Sequence, residues 1–232
     1  MEKFKIKNRE GFLELLIIIM LGVTAICTAW ATWIGSLHDG NQAANFALSN
    51  NLAAEGNSEW NAGIQALMQD MMVYNEVNNL MIDQHFADRQ GNNEDSERAQ
   101  WKIDELIYGN MSEDLQAAFD WAIDESNARG ESVSPFDKDG FIDTYFEAAN
   151  ELLSESEAVM EEGRSDGSNS DGFGLVTVIY AVALFLMGVA ATLKNFRLKT
   201  ILFAISVGVF LFATIYMITL PLPTGFGTGG GA

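Results

Sequence analysis

The chain has 232 residues, with 32 Asp and Glu against 13 Lys and Arg and a formal net charge of −19. So acidic a balance argues against a polyanionic partner, and no nucleic acid is expected to bind. Three long apolar runs set in this acidic chain exclude an ordinary soluble domain and predict an all-α membrane protein. Its expected layout is one transmembrane helix, an acidic extracytoplasmic helical domain, then a two-helix transmembrane hairpin.

Residues 1–11 form a basic tail carrying Lys3, Lys5, Lys7 and Arg9. The run from Phe12 to Gly35 follows, and the first span is placed at 12–36. A helix of about 20 apolar residues crosses a hydrocarbon core of about 30 Å. Basic residues ahead of the run and Ala29-Trp30-Ala31 near its end resemble a cleavable signal peptide. The run is longer than the roughly 7–15 apolar residues of such a leader, however, and Trp30 and Trp33 suit interface anchors of a retained helix. Bulky Ile26 before Cys27 argues against a lipoprotein signal, and the lone cysteine leaves the exported part without an internal disulfide. Glu14 lies near the cytoplasmic end, where pairing with Lys194, Arg197 or Lys199 is expected in preference to a gating role. Thr24, Thr28 and Thr32 recur every four residues and share one helix face. Beside Gly22, Ala25 and Ala29 that face is read as a helix-packing surface, with a narrow pore lining as the alternative.

His38-Asp39-Gly40 is either a hinge or a turn of one very long helix. From Trp60 onward Ile64, Leu67, Met68, Met71, Met81, Ile82 and Phe86 keep helical spacing, which predicts a long amphipathic helix starting near Asn41. Met68, Met71, Asn75, Asn78 and Ile82 form a candidate assembly stripe, in which Asn75 and Asn78 would set the register of helix pairing. The methionines suit an adaptable groove or a methionine-rich core. His38 and His85 have no second ligand at metal-binding spacing and are read as lone surface histidines, so no metal is expected.

Further helices are predicted over about Asp95–Tyr108 and from Ser112, whose hydroxyl can cap the first amides while Glu113 and Asp114 complement the helix dipole. Gly109-Asn110 and Arg129-Gly130 punctuate them. SPFDKDGFID, from Ser134 to Asp143, looks like part of a calcium loop. Aligned on Gly140, Asp137 and Asp139 take the third and fifth ligand positions, but Pro135 and Phe146 fall where the first ligand and the closing bidentate Glu belong. Calcium is therefore not expected. The same letters predict a helix capped by Asp137 or Asp139, with a continuous apolar face from Phe141 through Phe146, Leu153 and Met160. Residues 37–163 make up the exported domain, and 164–172 (RSDGSNSDG) read as a flexible polar linker.

The second span is placed at 173–193, a basic turn at 194–199, the third span at 200–222 and a Gly-rich tail at 223–232. Seven of the 13 basic residues lie in the amino-terminal tail and the basic turn, which places both in the cytoplasm and the carboxyl terminus outside. The outer segment, residues 37–172, then holds 29 acidic and 6 basic residues. A solvated acidic surface accounts for this; a vestibule concentrating cations is the functional alternative.

The first span with its TAWATWIGSLHDGNQAANFALSNNLAAEGNSEW continuation, the SPF followed by an acidic helix, and GFGLVTVIYAVALFLMGVA before a basic turn together resemble a group of uncharacterised bacterial three-span membrane proteins. The resemblance implies a prokaryotic inner-membrane location and this topology, and carries no activity to any residue. No GxSxG, phosphate-binding loop or dinucleotide fingerprint is present, and no cofactor or catalytic residue is expected. The expected function is non-enzymatic: a bilayer-embedded protein whose exported domain assembles with copies of itself or with another membrane protein. A homo-oligomeric cation channel is the first alternative, and an extracytoplasmic sensor or accessory subunit the second.

Overall fold

The computed structural model describes residues 9–224, all of whose regular structure is helical. The order is α1 (Arg9–Gln90), α2 (Asn93–Gly109), α3 (Glu113–Arg129), a 3-10 turn (Pro135–Asp137), α4 (Phe141–Thr144), α5 (Glu147–Thr192) and α6 (Phe196–Thr219). Three helices, α1, α5 and α6, are long and apolar enough to cross a membrane. Residues 1–8, with Lys3, Lys5 and Lys7, and residues 225–232 of the Gly-rich tail lie outside the described residues.

Two expectations about continuity resolve in favour of helix. His38-Asp39-Gly40 is not a hinge; it lies within α1. The expected flexible linker at 164–172 is likewise helical, inside α5, with Asp166 and Gly172 buried. Close packing accompanies it: a Cβ on the adjoining Gly163 would stand 2.6 Å from the Phe46 ring, so α5 meets the Phe46 side chain of α1 closely at that glycine.

The chain forms two compact units, each with its own core. The first comprises residues up to Ser49 together with those from Ala158 onward. Its core joins Leu13, Ile17, Ala31 and Ile34 of α1 to Phe173, Val176, Tyr180, Ala183, Met187 and Ala190 of α5 and to Phe210 and Ala213 of α6. The α5 members are spaced alternately three and four residues apart, and on α1 Ile17, Thr24, Ala31 and His38 recur every seventh residue, all at most 1 % exposed. That is the repeat of helices packing knobs into holes at a shallow left-handed crossing. Alanines and Thr24 on the seam let the backbones approach, and dispersion between well-fitted side chains holds such helices where lipid offers no hydrophobic drive. Asn195 starts α6 by accepting from the amides of Arg197 and Leu198.

The second unit, Asn50–Glu157, is a small helical domain. Val77 of α1, Ile103 of α2, Leu115, Ala118 and Phe119 of α3, Met111 and Phe141 form its core. Fully burying a Val, Leu, Ile or Phe side chain contributes about 1.5–3 kcal/mol, so this cluster is the main stabilising term of the unit. The expected boundaries of α2 hold to within two residues. At the start of α3 the Ser112 hydroxyl accepts from Leu115 N, and Gly130 ends the helix in the left-handed conformation at φ 74°.

The predicted helix beginning in SPFDKDGFID is corrected. Ser134, not Asp137 or Asp139, caps a 3-10 turn, and Asp137 closes the capping box by accepting from Ser134 N. Gly140, at φ 77°, precedes the short α4 without any side-chain cap, and turn residues at 145–146 separate α4 from α5. The continuous apolar face is therefore broken between α4 and α5. Tyr145 and Phe146 at the break are engaged elsewhere, Tyr145 with Asp70 and Phe146 against Trp60, at 4.4 Å between ring centroids.

Candidate functional site

Within the second unit α1 has two faces of opposite character. One carries Gly63, Asp70 and Val77, all buried, and packs on the domain core. At 100° per residue, Met68, Met72, Asn75, Ile82 and Phe86 fall on the opposite side. An outward helix face next to water is ordinarily polar. Here Met68 is 60 % exposed, Met72 68 % and Phe86 56 %, with Met71 and Ile82 also exposed. The residues of the candidate stripe, Met68, Met71, Asn75, Asn78 and Ile82, are thus all exposed, with Asn78 at the rim toward α3, and the methionine-core reading of Met68 and Met71 is corrected. Leu67, Val73 and Val77 fill the inward positions instead.

Asp70 is the polar anchor of the inward face and was not anticipated. It is 4 % exposed, and its carboxylate accepts from Ser112 N at 3.2 Å, Ser112 Oγ at 2.5 Å and Tyr145 Oη at 2.6 Å. One side chain of α1 thereby fixes both the first turn of α3 and the break before α5. Burial, then donation to the Asp70 carboxylate, holds the Tyr145 phenol well above the ordinary tyrosine range. A groove of about 370 Å³ lies beside this core, between Tyr74, Asn78 and Met81 of α1 and Phe119, Ile123 and Ser126 of α3. Its Ser126 hydroxyl donates to Ala122 O and accepts from Val133 N, so this group closes the loop after α3.

Within the first unit the three threonines of the candidate pore or packing face separate. Thr24 is fully buried, donating to Met20 O at 2.7 Å with Met187 Sδ at 3.9 Å. Thr28 and Thr32 donate to Thr24 O and Thr28 O, and Thr32 is exposed. All three hydroxyls therefore bond the preceding turn of their own helix. Trp30 and Trp33, the expected interface anchors, are 44 % and 49 % exposed and meet edge to face at 5.3 Å. Of the three cationic partners expected for Glu14, Lys199 takes the place: its Nζ donates to Glu14 Oε1 at 2.8 Å.

The surface reading holds for His85, which is exposed, and fails for His38, which is 1 % exposed. Nδ1 of His38 lies 2.7 Å from Asp166 Oδ1 and Nε2 lies 3.1 Å from the Pro221 carbonyl oxygen. The ring stacks on Phe173 at 5.8 Å, and Asn45 Nδ2 donates to Asp166 Oδ2 at 3.4 Å. The missed signal was positional. His38 occupies the seventh-residue register of Ile17, Thr24 and Ala31, and Asp166 the corresponding register of Phe173, Tyr180 and Met187.

No protein-family model, curated protein or solved structure matches the chain.

Proposed function

We propose that this is a non-enzymatic three-span membrane protein of the prokaryotic inner membrane that self-assembles through its exported helical domain. The spans lie in α1, α5 and α6, the amino-terminal tail and the basic turn face the cytoplasm, and residues 37–163 face outward. The observation that carries the reading is the exposed stripe of α1 turned away from the domain core, on which large apolar side chains stand between polar ones. Five large side chains, Met68, Met71, Met72, Ile82 and Phe86, are each between 45 % and 68 % exposed along it, with Asn75 and Asn78 between the methionines and Ile82. Large apolar side chains exposed in two groups along one side of a helix are suited to an interaction site. A second copy of the same face is a suitable occupant: methionine adapts to its own kind, and Asn75 and Asn78 meeting their counterparts would fix one register.

The test is the mass of the full-length protein in lipid nanodiscs, with lipid accounted for. A single closed oligomer is expected for the native chain, and a monomer for the Met68→Glu/Ile82→Glu double variant with unchanged helicity. With 29 acidic against 6 basic residues over 37–172, the copies repel, so the oligomer should tighten as salt rises. A native monomer at all salt concentrations would refute the proposal.

A further inference from the structure

Counting hydrogens around His38 leads to a bound proton. A backbone carbonyl only accepts, so the 3.1 Å contact with Pro221 O requires a hydrogen on Nε2. An ionised carboxylate also only accepts, so the 2.7 Å contact between Nδ1 and Asp166 Oδ1 requires a second hydrogen. A neutral imidazole carries one N–H. The arrangement therefore holds one proton more than a neutral histidine beside a carboxylate. It is either imidazolium with carboxylate or imidazole with carboxylic acid, and the pair is uncharged overall in both.

We propose that His38 and Asp166 form a proton-dependent clasp that fastens the chain leaving α6, Leu220–Thr224, onto α1 and α5. The parts of the clasp come from separate elements: His38 and Asn45 from α1, Asp166 and Phe173 from α5, and Pro221 from the segment after α6. The segment has further ties: Asn41 Nδ2 donates to Thr224 Oγ1 at 3.2 Å, Leu220 packs on the core and over Gly172, where a Cβ would come within 2.9 Å of Leu220 Cδ2, and Pro223 is buried. Of the charged groups on the surrounding elements, Asp166 is the one bonded to the ring. Asp39 on α1 and Arg164 and Asp171 on α5 are exposed, and neither α6 beyond Lys199 nor Leu220–Thr224 contributes any. When the extra proton leaves, one ring nitrogen turns a lone pair toward an acceptor. The charge-assisted bond to Asp166 keeps its hydrogen, so the contact with Pro221 is the one that fails. Imidazole is the group suited to make this change near neutral pH.

The experiment uses the full chain in nanodiscs with spin labels at Ser36→Cys and Leu222→Cys, both exposed, in a Cys27→Ser background. Label-to-label distances are recorded from about pH 5 to about pH 9. The native pair should give one narrow distance at low pH that broadens at high pH. His38→Gln should abolish that response. Asp166→Asn supplies an amide donor to Nδ1 and leaves Nε2–H for Pro221, so it should keep the narrow distance at every pH; because it predicts a gain of order, misfolding cannot imitate it. The chain has two histidines, so a His85→Gln background lets ¹⁵N spectra report on His38 alone, with a hydrogen on Nε2 expected at low pH in either form of the pair. A native distance unchanged by pH, a pH response surviving in His38→Gln, or an Nε2 without hydrogen at low pH would each overturn the clasp.

Discussion

Asp70→Ala tests the architecture of the second unit most sharply. It removes the acceptor of three hydrogen bonds, two from Ser112 and one from Tyr145. Bonds to a charged group contribute about 1.5–3 kcal/mol each when buried. Ser112 is exposed at the start of α3, so water replaces much of what it loses, and the larger share falls on the half-buried Tyr145 hydroxyl. The carboxylate's own desolvation, no longer incurred, offsets part of the loss. The net cost comes to about 3 kcal/mol, a large fraction of the 5–15 kcal/mol typical of a domain. Hydrogen exchange read by mass spectrometry should show protection of α3 falling by about 100-fold, at 1.4 kcal/mol per tenfold. Asp70→Asn should cost less, because the amide can donate to the two hydroxyl oxygens while its carbonyl still accepts from Ser112 N. A loss below about tenfold for the alanine variant, or an asparagine variant equally damaged, would refute the anchoring role. The same cluster has a pH signature. Tyr145 titrates above its unfolded value near 10, so its contribution is fully present below about pH 10 and is lost as pH climbs from there toward the folded value. Tyr145→Phe should start less stable than the native domain and lose less on alkaline titration, read by the same exchange measurement.

Two further outcomes follow from the first unit. Glu14→Gln should destabilise the helical bundle more than Lys199→Met does, because Lys199 is 3 % exposed and its ammonium would be left buried beside a neutral amide, whereas the Glu14 side chain is 54 % exposed. Losing one partner of a buried pair costs about 3–5 kcal/mol, against under about 1 kcal/mol for the exposed side, and thermal unfolding in nanodiscs that ranks the variants in reverse would contradict the assignment. Gly163→Leu should separate α1 from α5 locally, since even a Cβ there meets the Phe46 ring at 2.6 Å; a cost of more than about 2 kcal/mol is expected, and an unchanged melting temperature would show that Phe46 simply turns away.

Much of the helical layout was legible because its signals are local. Ser112 caps α3 and Gly130 ends it, as their chemistry implies, and the three apolar runs stand out by length and composition. The linker at 164–172 misled because Gly, Ser and Asp favour flexible chain when nothing packs against them. Here Gly172 lies against Leu220 and Asp166 against His38, so the same small and polar residues become the close-packed part of a long helix. Gly140 and the SPF turn misled in the other direction: the apolar spacing after Phe141 was helical, but Tyr145 and Phe146 are claimed by Asp70 and Trp60.

The sequence by itself determined helix rather than strand, three segments apolar enough for a bilayer, and an acidic region between the first and second of them, because these depend on composition and on hydrogen bonds within one helix. Only the tertiary structure decided which face of α1 is core and which is left exposed, and which polar residues are buried. Met68 and Val77 are both apolar and both helical, and Asp70 and Asp83 carry the same charge. What separates them is the neighbour each meets, Leu115 and Phe119 packing about Val77 and the donors of Ser112 and Tyr145 converging on Asp70. A buried charge or imidazole is stable only where distant parts of the chain bring its partners, and that convergence is a property of the fold.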